Sequence, residues 1–316
     1  MNVNSNTDTN NANTNTTYYL RLIAAIFIWS MLYHIAKPAA SISGPYLIAF
    51  LRYLIAALLS LGILKWRTGK FIPQLNKEQW LLVMLIGLIG ICSYNLFFFN
   101  AEALISGNTV AILYAFSPCL TTIISSFVFK TKLNLLSKIG IVVSLLGAIG
   151  VVNYASPECR CYFCSVTFQK MSCGEAYGLL ATIAFALYAI LSKYTAQKNV
   201  STLVMNTYAS VFGCIFLTIA AIYKGNFTIL RTAPLSYWLD LLYISVLATV
   251  VAYLWYTQAL IKLGVLKTVI FQNTVPIQAV VIGYLFFGEK IGRGELVCGL
   301  IIVLGVYLTS MKGKRT

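Results

Sequence analysis

The chain holds few residues able to carry out covalent chemistry. It has a single histidine, His34, and only eight Asp and Glu in 316 residues, sparse equipment for acid–base catalysis. No GxxxxGK(S/T) phosphate loop, HExxH or GxSxG string occurs, so ATP hydrolysis, zinc proteolysis and serine acyl transfer have no signature here. No enzyme activity and no cofactor are expected. What the chain does carry is polar side chains inside apolar runs: Arg52, Tyr94, Asn95, Tyr208, Tyr256, Gln258, Gln272 and Asn273. A polar group in a bilayer is costly, so it faces a cavity or bonds a neighbouring helix. Together with Trp29 and Tyr33 these residues have the makeup of an amide- and aromatic-lined pocket for a small zwitterion or amphipathic solute. Arg52 could attract its carboxylate. The same residue types also serve as helix-to-helix hydrogen bonds, and Arg52 as a snorkelling cation.

Such residues need elements to place them. The chain is 59% hydrophobic and 10% charged, against about a quarter charged in a soluble domain. Its surface therefore meets lipid, and the fold is expected to be an all-α integral membrane bundle of ten transmembrane helices. At about 20 residues per span, these fall near 19–37, 46–65, 79–99, 106–128, 137–155, 175–194, 203–223, 237–258, 264–287 and 294–311. The Asn/Thr-rich residues 1–18 read as a disordered tail and residues 312–316 as a basic one. Lys37 beside Pro38 is expected to end the first span. Ten spans put both termini on one side. With that side cytoplasmic, 15 of the 23 Lys and Arg lie inside and six of the eight acids outside, the positive-inside pattern expected of a multi-pass protein of the cell (inner) membrane. The net charge of +15 is thus spread between apolar runs rather than gathered on one face, so no nucleic-acid partner is expected. The expected partners are membrane lipid and a small-molecule substrate, with the chain a monomer or homodimer.

One awkward helix is written twice. FQNTVPIQAVVIGYLFFGEK at 271–290 follows LYAFSPCLTTIISSFVFKTK at 113–132 at an offset of 158, aligning Pro118 with Pro276, Ile124 with Ile282, Phe129 with Phe287 and Lys132 with Lys290. Five spans precede residue 156 and five follow residue 174. The chain divides into repeats 19–155 and 175–311 joined by a loop at 156–174. An odd number of spans per half inverts the second half in the membrane. Inverted pairs of this kind hold a substrate near the midplane and rock around it. Pro118 and Pro276 are expected to kink their helices mid-span. Trp29 and Tyr33 fall in register with Phe185 and Ala189.

These units resemble the drug/metabolite transporter superfamily and, within it, the EamA-type ten-helix transporters. The second half carries Ala259, Leu260, Pro276, Phe287, Glu289, Lys290, Gly299, Leu304, Gly305 and Val306. The first carries Ala103, Leu104, Pro118, Phe129, Lys132, Gly140, Leu146 and Gly147, and departs at Thr131, where the family usually has Glu. The resemblance implies transport of amino acids, other small metabolites or drugs.

The function expected is secondary transport of small polar organic metabolites by alternating access, as an exporter or exchanger, with amino-acid-like cargo favoured. Its rivals are uptake of nucleotide-like or S-adenosyl compounds, drug efflux, and a non-transporting membrane sensor or assembly subunit. No Asp or Glu is placed in the middle of a span, which leans towards facilitated diffusion or exchange. His34 is the reservation, and Glu102 could lie deeper. Of eight cysteines, Cys92, Cys119, Cys214 and Cys298 sit in spans as packing residues. Cys159, Cys161, Cys164 and Cys173 crowd the outward loop. They are read first as disulfides, in three possible pairings, with a zinc site or free thiols as alternatives and no metal assigned.

Overall fold

The computed structural model describes residues 5–130, 133–155, 173–263, 268, 271, 272 and 274–310. The described residues are helical throughout, apart from short connections. Eight helices are long and apolar enough to cross a membrane. They are α1 (Ser5–Ser43), α2 (Pro45–Thr68), α3 (Lys77–Leu104), α4 (Gly107–Val128), α5 (Leu135–Ala155), α6 (Cys173–Gln197), α7 (Thr202–Lys224) and α8 (Leu235–Ala259). The ninth and tenth expected spans are the apolar helices α9 (Val275–Phe286) and α10 (Arg293–Ser310).

Local chemistry sets the ends. Gly44, at φ 79°, makes the turn between α1 and α2, and Pro45 opens α2 where a missing N–H costs nothing. Gly69, at φ 70°, closes α2 with its N–H on the Lys65 carbonyl. Asn76 and Gln79 form a reciprocal capping box on α3. Ser106 and Ser201 cap α4 and α7.

The helix α1 begins at Ser5. One expectation about it is corrected: it runs through Pro38 to Ser43 rather than ending at Lys37. Neighbouring helices hold the backbone there, and the Ser41 and Ser43 hydroxyls bond the Pro38 and Ala39 carbonyls.

The repeat is visible in the backbone. α3 carries a π-helical segment at Ile86–Ser93, and α8 carries one at Tyr243–Val251, close to the same offset of 158. α5 and α10 pack side by side, and the repeat-equivalent pair Ser144 and Ile302 meet there, hydroxyl to carbonyl at 3.0 Å. Glycines permit this approach. A Cβ on Gly140 would stand 2.5 Å from the Gly305 carbonyl oxygen, and one on Gly305 would stand 2.5 Å from the Ser144 nitrogen.

Candidate substrate cavity

A cavity of about 1150 Å³ lies between the two halves. Its one deep cation is Arg52 on α2, which is 6% exposed. The π-helical segments place its partners. Nε donates to Thr249 Oγ1 at 2.8 Å, and Thr249 itself bonds the Ile244 carbonyl five residues back. Nη1 donates to Asn95 Oδ1 at 3.0 Å, while Asn95 Nδ2 holds the Ile91 carbonyl at 2.7 Å. Asn95 is fully buried and positions the guanidinium rather than facing the cavity. The rings of Tyr53 and Phe99 lie 5.6 and 5.9 Å from the Arg52 guanidinium.

Aromatic side chains form two walls. On one, Trp29 stacks obliquely on Tyr256 with centroids 5.0 Å apart, and its Nε1 is anchored on the Ala248 carbonyl at 2.9 Å. The Tyr256 hydroxyl donates to Gln272 Oε1 at 2.6 Å. On the other, Tyr114 meets Phe185 at 4.9 Å, and Tyr188 and Tyr253 share a hydrogen bond of 2.7 Å. A side chain larger than hydrogen at Gly90 would collide with the Tyr188 ring.

The regular hydrogen-bond pattern of α4 is interrupted at Ala115–Phe116, both still in right-handed helical backbone, and resumes at Ser117 with Pro118 in the first turn. Pro276 occupies the same position at the start of α9. Proline is tolerated there because those N–H groups have no helical partner. Ser117, Pro118, Val275 and Pro276 all line the cavity.

The cavity reaches the exposed Arg67 and Thr202 and the half-buried Gln258 at one end of the bundle. At the other it stops under Tyr33, Tyr94 and Tyr114. Beyond these rings a polar layer joins the halves. His34 Nδ1 meets Glu289 Oε1 at 3.0 Å, and Nε2 faces the Ala279 carbonyl at 2.7 Å. Glu289 Oε2 accepts the Asn108 N–H at 3.1 Å, and Thr109 donates to Glu295 at 2.6 Å. Burial alone would raise the Glu289 carboxyl. The hydrogen bonds from His34 and Asn108, with the charges of His34 and Lys37, more than offset it and hold the carboxyl below its usual value. Glu102 is fully buried, and neither of its carboxyl oxygens has a hydrogen-bond partner. Glu102, Glu175 and Glu295 are thus all buried. They lie near the ends, but the protein covers them.

Of the expected site residues, Trp29, Tyr33, Arg52, Tyr94, Tyr256, Gln258 and Gln272 line the cavity. Gln258 sits at the mouth, bonded by Arg21 at 2.7 Å. Tyr208 does not line it; its hydroxyl bonds the Phe71 carbonyl and its ring packs edge-on to Trp80. Asn273 lies outside the described residues, as do Cys159, Cys161 and Cys164. Cys173 opens α6 and is exposed. Sequence reasoning missed Tyr114, Tyr188 and Ser210. Tyr188 stands three residues from Phe185, one helical face apart, and Ser210 is the repeat partner of Arg52 at offset 158; those spacings were the available signals.

Residues 16–153 and 172–311 each match the model of the EamA-like transporter family. Similar full-length proteins include the uncharacterized transporter YyaM of Bacillus subtilis, 25% identical over 92% of this chain and 93% of its own. An uncharacterized transporter of Archaeoglobus fulgidus is also 25% identical, over 94% and 99%. A WAT1-related chloroplastic protein of Arabidopsis thaliana is 22% identical over 92% of this chain and 68% of its own. A solved crystal structure aligns with 95% of this chain and 99% of its own at TM-score 0.64 and 16% identity, a likeness of fold.

Proposed function

The chain belongs to the EamA-like transporter family, and from that premise we propose that it exports or exchanges small polar organic metabolites, with amino-acid-like cargo, by alternating access between its two repeats. The observation that carries this reading is the cavity between the halves, which is open at the Arg67 end and closed by rings and a polar layer at the Lys37 end. A volume of about 1150 Å³ is at or above the upper range of small-ligand pockets, roughly 300–1,000 Å³. Arg52 supplies a donor for a carboxylate, and the rings of Trp29, Tyr256 and Tyr114 supply an apolar bed. With both termini in the cytoplasm of the cell membrane, the open end faces inward, ready to load cargo for export. No ATP site was found, so a gradient drives the cycle. Cationic drugs fit this reading poorly, because the deep charge is already positive.

Counterflow in proteoliposomes tests it. Vesicles loaded with a mixture of unlabelled amino acids should accumulate a labelled one transiently, protein-free vesicles should not, and Trp29→Ala should weaken the response. No counterflow with any amino acid would contradict the reading.

A further inference from the structure

Resting on that transport reading, we propose that the cavity selects organic anions: Arg52 binds a carboxylate, the Trp29–Tyr256 and Tyr114–Phe185 walls hold a flat or aromatic body, and a cargo ammonium is not recognised.

The charge balance around Arg52 is the starting point. Its guanidinium has five N–H groups; the two bonds to Thr249 and Asn95 leave three without a hydrogen bond among the described residues. Both partners are neutral, and so are the Tyr53 and Phe99 rings. They solvate the cation and fix its orientation without cancelling its charge. A buried charge demands an opposite one.

No described acid supplies it. None of Glu78, Glu102, Glu175, Asp240, Glu289 or Glu295 lines the cavity. Glu78 pairs with Lys198 at 2.9 Å on the surface. Glu289 and Glu295 are held by His34 and Thr109 beyond the ring closure. The cavity instead adds to the positive field. The exposed Arg67 stands at its mouth, where it steers anions inward. Two cations, one deep and one at the mouth, thus favour negative charge in one space.

An ammonium finds no carboxylate among the described lining residues. The Gln272 Oε1 atom already accepts from Tyr256, and Tyr188 and Tyr253 bond each other. What remains for a cation is neutral oxygens and ring faces, against the repulsion of Arg52. The carboxylate of an amino acid is therefore the recognised group, and its amine is passive or unfavourable. Planar bidentate pairing suits Arg to a carboxylate.

Four probes with one aromatic skeleton separate the charges: phenylalanine, 3-phenylpropanoate, phenethylamine and 3-phenylpropanamide. Thermal unfolding of the purified full chain is followed with each at equal concentration. The expected result is stabilisation by 3-phenylpropanoate at least equal to that by phenylalanine, and none by the amine or the amide. Arg52→Gln should weaken the carboxylate by at least about tenfold, the loss of one charged hydrogen bond. Arg52→Lys, which keeps the charge, should retain part of the affinity; it serves if the Gln variant does not fold. Stabilisation by phenethylamine, an amide as effective as the acid, or a carboxylate response unchanged in Arg52→Gln would overturn the proposal. So would silence from all four probes. Amino-acid counterflow in the same preparation then tells whether transport itself stands.

Discussion

His34 and Glu289 lie 255 residues apart in the chain and meet at 3.0 Å, one from each repeat, across the closed end of the cavity. The contact is a latch between α1 and the loop before α10. Both His34 ring nitrogens are engaged, Nδ1 with Glu289 and Nε2 with the Ala279 carbonyl. Opening this end requires the pair to part.

Glu289→Gln removes the charge from two hydrogen bonds and should loosen the closed end by about 1–3 kcal/mol. Hydrogen exchange of the peptides covering 33–43 and 286–295 should accelerate, while α5 and α10 stay protected. Unchanged exchange at both peptides would show that the latch does not hold the closure.

The latch also has a defined pH response. The Glu289 carboxyl is held below its usual value in the folded chain. A group lowered on folding adds stability that is fully present above its unfolded value and is lost as pH falls through its folded value. Acidification below the ordinary glutamate range should therefore speed exchange at the closed end of the native protein. Glu289→Gln should abolish that acid-dependent change.

Substituting Gly140 with Val should destabilise the bundle by about 1–3 kcal/mol, because the added atoms meet the backbone of α10 with no room to move. Gly62→Ala is the contrasting case. Nothing lies within 4 Å of a Cβ there, so in a helix it should stabilise by about 0.5–1 kcal/mol. Thermal unfolding of the two variants should move in opposite directions.

Glu102→Met replaces a buried carboxyl that has no hydrogen-bond partner with an apolar side chain of similar length. An unsatisfied buried group of this kind costs about 1–3 kcal/mol, more when charged. The variant should melt at the wild-type temperature or above it. A large loss of stability would mean that Glu102 is engaged in the native protein.

The surface pair Lys198–Glu78 makes the opposite point. The hydrogen bond and charge of Glu78 raise the Lys198 pKa, yet both side chains are well exposed. Lys198→Ala should leave the unfolding temperature almost unchanged, as exposed pairs contribute little.

How far the sequence revealed this molecule depended on what each feature required. The bundle was legible, since an apolar run of span length has few other uses. The repeat was legible because Pro118 and Pro276 keep their spacing while neighbours drift. What the spacing could not show is where in the turn each proline sits: both fall in the first turn after an interruption of the regular helix. Arg52, Tyr94, Tyr256 and Gln272 stood out as polar residues in the wrong solvent. Tyr208 stood out equally but turns to a loop carbonyl, because helix rotation cannot be read from a tyrosine alone. The polar layer was hidden for a different reason. His34, Asn108, Glu289 and Glu295 come from separate stretches that look like span ends, and their burial is a product of packing.

The central claim is that one cavity is exposed to the two ends of the bundle in turn. The direct measurement is a pair of spin-label distances in the reconstituted protein, with native cysteines replaced: Ser41 to Lys290 across the closed end, and Trp66 to Thr202 across the open end. A transported amino acid should lengthen the first distance and shorten the second in the same population. Binding that leaves both distances fixed, or lengthens both together, would contradict alternating access.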